Sequence, residues 1–181
     1  MRLDSWSNIA RRIRVPLGFA FAIVYFLLAR PSAWSIVAGS IIAAAGLLVR
    51  GVASGHVQKN EELATSGPYA YVRNPLYVGS VFLAAGFAVA SRNCWVAAAA
   101  VLIFVVIYVP VICSEEAFLR GKFPEFPEYA NNVPRFVPRL TAFGKKGAFS
   151  WRLYLQHREY NAILGTVVTI ALLVAKLLWL T

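Results

Sequence analysis

The run CWVAAAAVLIFVVIYVPVIC, Cys94–Cys113, carries no charged side chain over twenty residues. A helix needs roughly 20 consecutive apolar residues to cross the hydrocarbon core of a bilayer, so this run is long enough on its own. Moving outward, Leu76–Ala90, Ala33–Val49 and Val15–Ala29 precede it and Ala162–Leu180 follows. The last run also spans comfortably, and Ala33–Val49 spans at the lower limit. Val15–Ala29 and Leu76–Ala90 are short. The first can draw on Ile9–Arg14, whose arginines can snorkel to the interface. The third can draw on the Arg73-Asn74-Pro75 turn, whose backbone must then be buried in protein. Strand signals and internal repeats are absent. The expected fold class is all-α, a polytopic membrane helix bundle with about five transmembrane helices.

Composition agrees. The chain is 59% hydrophobic and 14% charged, where a soluble domain is about half apolar and a quarter charged. Its 181 residues suit a single membrane domain, 1–181. The first apolar run follows Arg11-Arg12-Ile13-Arg14 and has no small-residue cleavage site, so it reads as a span rather than a signal peptide. Cys94 and Cys113 lie at opposite ends of one helix, about 28 Å apart at 1.5 Å per residue, too far for a disulfide. Two Cys and two His scattered singly make no metal-binding spacing.

The net charge of +10 is distributed by segment. With a cytoplasmic N-terminus, residues 1–14, 50–75 and 114–160 hold 15 of the 18 Lys and Arg, leaving Arg30, Arg92 and Lys176 elsewhere. All eight acids also fall on those inner segments. That asymmetry follows the positive-inside rule and argues against a nucleic-acid patch. The expected location is therefore multi-pass and integral, with an inside N-terminus, in a bacterial inner membrane. Residues 139–160 mix aromatics and bases and read as an interfacial amphipathic segment on the anionic leaflet. Residues 161–181 form the C-terminal transmembrane helix.

Two polar clusters share the inner side. In the first, Gly67-Pro68 favours a tight turn. Asn74-Pro75 marks a helix start, where unpaired amides favour an anion. Tyr69, Tyr71 and Tyr77 offer faces for an aromatic ring. The same residue types also suit a plain loop with interface tyrosines. In the second cluster, Glu115 and Glu116 directly follow the apolar run. A carboxylate at membrane depth is costly unless paired or functional, and consecutive helical residues point about 100° apart, so one suffices to face the bundle. A solvated pair beside Arg120 is the simpler alternative. His56 and His157 read as hydrogen-bonded or interfacial side chains.

Together, LATSGPYAYVRNPLYVG and the later EEAFL, EY and VPRFVP resemble the isoprenylcysteine carboxyl methyltransferase and phospholipid methyltransferase family of integral membrane enzymes. The resemblance covers residues 56–138, a methyltransferase-like cofactor-binding core. It implies a cytoplasmic pocket for S-adenosyl-L-methionine formed by Gln58, Glu61, Glu62, Leu63, Ala64, Tyr69, Asn74, Pro75, Leu76, Tyr77 and Glu115. It also implies catalytic roles for Arg73, Glu116 and Tyr77, no metal, and a lipid-soluble or prenylated acceptor drawn from the membrane lipids. Asn74 stands where many members have His. Val111 stands where the prenylcysteine enzymes place a substrate-contacting Arg, one turn before the Glu pair. An acceptor other than prenylcysteine is therefore expected. The rival readings are a phospholipid N-methyltransferase, a membrane reductase of unsaturated lipids using NADPH, and a non-enzymatic membrane scaffold.

Overall fold

A computed structural model describes residues 2–58, 61–144 and 147–180. Lys59 and Thr181, which enter the charge and topology arguments, lie outside them, as do Lys145 and Lys146. Among the described residues there is helix and no strand.

Among the described residues seven helices follow in order: α1 Arg2–Leu28, α2 Ala33–Ser54, α3 Pro75–Ser91, α4 Cys94–Lys122, α5 Phe126–Asn132, α6 Trp151–Gln156 and α7 Tyr160–Leu180. A short 3-10 turn, Gly67–Ala70, precedes α3. Helices α2, α4 and α7 are long and apolar enough to cross a membrane, and Val15–Leu28 and Pro75–Ser91 are shorter apolar helices. Each run expected to span is thus helical. The first draws on its basic N-terminal flank, as expected, and accommodates Pro16. The third does not absorb the Arg73-Asn74 turn, because Pro75 starts the helix. The acidic continuation of α4 is also helical, to Lys122. Among its described residues, the segment read as interfacial is helical over Trp151–Gln156, where the Ser150 hydroxyl accepts from Leu153 N–H at 3.4 Å, and again at Tyr160.

The chain divides into two compact units. One comprises Met1–Ile42, Ala84–Phe118 and Val168–Thr181; the other comprises Ala43–Leu83 and Leu119–Val167. In the first, Tyr25, Ala29, Ile36, Ala90, Val96 and Leu173 form a buried core, and the Tyr25 hydroxyl donates to the Phe87 carbonyl at 3.0 Å. A smaller cluster packs Ala10 on Ile107 and Val111. Helix ends are closed by side chains, as orphan end groups require. Lys176 Nζ donates to the Phe26 and Leu27 carbonyls at the end of α1. Asn93 donates to the Leu28 carbonyl at 3.0 Å and caps α4 by accepting from Trp95 N–H at 2.9 Å. Within α4, Phe104–Tyr108 forms one π turn, and Trp6 Nε1 donates to the Val106 carbonyl there at 3.0 Å. π turns inside α-helices are rare and frequently sit at functional places.

The second unit has its own core: Phe123, Phe126, Tyr129 and Val133, with Leu63, Leu119, Ala130 and Phe143 against it. Here α2 and α3 approach at backbone distance. A Cβ on Gly46 would lie 2.6 Å from the Gly79 carbonyl oxygen, closer than real Cβ atoms come.

Candidate functional site

The polar turn before α3 is the best-braced loop in the second unit. Gly67 opens it with φ +57, a left-handed conformation that glycine adopts without steric cost. A Cβ there would also meet the His56 ring at 2.6 Å. His56 is the floor of the turn: its Nδ1 donates to the Val52 carbonyl at 2.8 Å and its ring lies edge-on to Phe149. His157 Nδ1 likewise donates to the Ser54 carbonyl at 3.2 Å. Both histidines are thus hydrogen-bonded, as their sequence settings suggest.

The segment carrying the closing Val-Pro-Arg-Phe-Val-Pro motif runs along this turn. Arg73 N–H donates to the Pro134 carbonyl at 2.9 Å, Arg139 N–H to the Tyr71 carbonyl at 3.0 Å, and Phe143 N–H to the Ala70 carbonyl at 2.9 Å. The Asn74 side-chain amide adds a longer bond to the Arg135 carbonyl at 3.4 Å. The buried Tyr129 hydroxyl donates to the Tyr69 carbonyl at 2.8 Å. Arg139 steadies the strap itself through the Asn132 carbonyl and the Thr141 hydroxyl. Proline suits this strap: it has no N–H to satisfy, and its carbonyl remains an acceptor.

The structure brings most of the expected cofactor residues into this unit. Tyr69 and Pro75 are buried, while Arg73, Asn74, Leu76 and Tyr77 are half-buried. Gln58 and Ala64 are half-buried, and Glu61 and Glu62 are exposed. Leu63 joins this stretch to the Phe126 core. Asn74 also starts α3 from its own backbone, its carbonyl accepting from Tyr77 N–H and Val78 N–H at 3.1 and 3.0 Å. The amides expected to attract an anion at this helix start are therefore partly closed onto the chain. Glu115 and Glu116 lie on the part of α4 that belongs to the first unit. Glu116 is buried, 8% exposed, and Glu115 is half-buried, so one of the pair turns inward as the helical spacing requires. Tyr69, Arg73, Asn74, Tyr77, Glu115 and Glu116 all hold polar or ring interactions within the chain. Arg120 lies over the Phe126 ring at 5.7 Å. Among the described residues, no group of three or more His, Cys, Asp or Glu could hold a metal ion.

Sequence reasoning missed one charged group. Arg50 on α2 grips Glu159 bidentately, with Nε and Nη2 at 2.9–3.0 Å from the carboxylate oxygens. Its Nη1 donates to the Leu76 carbonyl at 3.3 Å and to the Ser80 hydroxyl at 2.5 Å. In the sequence both residues count only toward the inner-side charge. The available signal was Gly79, whose missing side chain makes room for the arginine stem. An open hollow of about 330 Å³ on α1, walled by Phe19, Ala22, Ile23, Phe26 and Leu27, exposes no polar surface and is unsuited to this chemistry.

Two curated proteins are similar to part of the chain. The cobalt-zinc-cadmium resistance protein CzcN of Cupriavidus metallidurans is 38% identical over 104 residues, covering 58% of this chain and 47% of that protein. The nickel-cobalt-cadmium resistance protein NccN of Alcaligenes xylosoxydans xylosoxydans is 38% identical over 92 residues, covering 51% and 43%. The chain thus spans less than half the length of either relative. No solved structure matches it. Residues 36–125 match the family model described as phospholipid methyltransferase. That segment holds most of α2, the braced turn, α3 and the Glu pair, so residues 36–125 belong to the isoprenylcysteine and phospholipid methyltransferase family of membrane proteins.

Proposed function

We propose that the protein transfers a methyl group from S-adenosyl-L-methionine to a lipid-soluble acceptor at the cytoplasmic face of the membrane. The observation that carries this is the braced turn Gly67–Asn74 inside the family segment 36–125, immediately before an apolar helix. A water-soluble cofactor needs a fixed polar wall, and a lipid acceptor needs an apolar approach. The donor set of the second unit suits that cofactor: carboxylates at Glu61 and Glu62 would serve its ammonium and ribose hydroxyls, a guanidinium at Arg73 its carboxylate, and Leu76 and Tyr77 its adenine. Buried Tyr69 and Pro75 would contribute through the backbone they fix. Gln58, Leu63, Ala64 and Asn74 complete the wall.

When bound, the cofactor supplies a sulfonium methyl that is already activated, so the protein's task is positioning and exclusion of water. Arg73, paired with the cofactor's carboxylate, would fix the cofactor's orientation. A carboxylate acceptor needs no base; an amine acceptor must lose a proton, which Glu116 or Tyr77 would take. Val111 is 1% exposed and packed with Ala10 and Ile107. That position is therefore apolar core in this chain and offers no cation to a prenylcysteine carboxylate. We infer an acceptor that is another small membrane-soluble amphiphile.

The test is calorimetric titration of the detergent-purified protein with S-adenosyl-L-methionine and, separately, NADPH, followed by labelled methyl transfer into total bacterial lipid extract or a prenylcysteine analogue. Binding of the methyl donor, with label entering lipid, is expected. NADPH binding in its place would move the chain to the reductase reading. Faster transfer to the prenylcysteine analogue would refute the acceptor assignment.

A further inference from the structure

Arg50 bonds more than its ion-pair partner Glu159. Here Nε and Nη2 hold both carboxylate oxygens while Nη1 reaches to α3. The pair is largely buried, with side chains 23% and 12% exposed. Ser80 donates onward from its hydroxyl to the Leu76 carbonyl at 2.9 Å, so arginine, serine and carbonyl form one closed group. A planar guanidinium with a fixed fork of donors can serve a carboxylate on one edge and a helix on the other; a lysine ammonium cannot. The sequence makes room for it. A Cβ on Gly79 would lie 2.5 Å from Arg50 Cγ and 2.7 Å from the Gly46 carbonyl oxygen. The Gly79-Ser80 pair that ends the turn motif thus receives the arginine: glycine admits its stem and serine accepts its tip. Leu76 and Ser80 lie one helical turn apart at the start of α3, the turn that presents Asn74, Leu76 and Tyr77.

We propose that Arg50 is a positioning residue for the cofactor: Glu159 fixes its guanidinium, which in turn holds the first turn of α3 through Leu76 and Ser80. This rests on the methyltransferase reading above.

The test is calorimetric titration of the full chain in detergent with S-adenosyl-L-methionine, for wild type, Arg50→Lys, Ser80→Ala and Asn74→Ala, and for the first two substitutions combined with Asn74→Ala. Thermal midpoints are measured alongside. Arg50→Lys is expected to weaken binding about tenfold in the wild-type background and less than about threefold with Asn74→Ala, because both act through the same turn. Ser80→Ala removes only a hydroxyl and is expected to weaken binding about threefold, so it decides the matter if Arg50→Lys does not fold. A lowered midpoint with unchanged affinity, or an equal loss in both backgrounds, overturns the proposal. A wild type that binds no S-adenosyl-L-methionine overturns the methyltransferase reading itself, and this proposal with it.

Discussion

Gly79 shows how a single absent side chain organises its surroundings. Its α-carbon faces the Arg50 stem and the Gly46 carbonyl at distances that leave no space for a methyl group. The nearest obstacle includes backbone, which cannot rotate aside. Gly79→Ala is therefore expected to destabilise the protein by about 1–3 kcal/mol, the usual range for overpacking. Gly121 is the opposite case: it is helical, and nothing lies within 4 Å of the position its Cβ would take. Gly121→Ala should stabilise by roughly 0.5–1 kcal/mol, because alanine has less backbone freedom to lose. Detergent unfolding midpoints of the two variants should move in opposite directions. A Gly79→Ala midpoint equal to wild type would show that α2 and α3 separate easily.

At the scale of elements, the strap after α5 and the turn before α3 support each other. Three main-chain bonds join them, and Tyr129 pins Tyr69 from beneath. Tyr129→Phe keeps the ring in its core but leaves the Tyr69 carbonyl without that donor, a loss of about 1–3 kcal/mol. Hydrogen exchange at the Arg73, Arg139 and Phe143 amides should accelerate together in this variant. Acceleration at one amide alone would mean that strap and turn open independently. The helices were legible in the sequence because an uninterrupted apolar run has few other ways to satisfy its backbone in lipid. The turn was legible through Gly67, Pro68 and Pro75, whose conformational limits are local. The strap was not: Pro134 and Pro138 announce only where a helix cannot continue, and its partners lie more than sixty residues earlier in the chain. The Arg50–Glu159 pair was hidden for the same reason, being fixed by packing over 109 residues of separation.

At the scale of the whole molecule, the exterior and the charge distribution point the same way. Trp34, Trp95 and Trp179 sit at the start of α2, the start of α4 and the end of α7, each 74–89% exposed. Tryptophan concentrates where a membrane meets water. Basic residues are scarce at these helix ends: only Arg30, Arg92 and Lys176 of the 18 Lys and Arg lie outside the three basic segments. Lys176 is in addition engaged with the end of α1, its ammonium 5.1 Å from the centre of the Phe26 ring. An inside N-terminus and an outside C-terminus follow if α1, α2, α3, α4 and α7 each cross the membrane. Single cysteines placed by Ser5→Cys and Thr181→Cys, in a Cys94→Ser, Cys113→Ser background, should react with a membrane-impermeant maleimide from opposite sides of the membrane. Reaction of both from one side would mean an even number of crossings. The short helices are then the ones to doubt: α3 has only 17 residues, about 25 Å at 1.5 Å per residue, against a hydrocarbon core of about 30 Å.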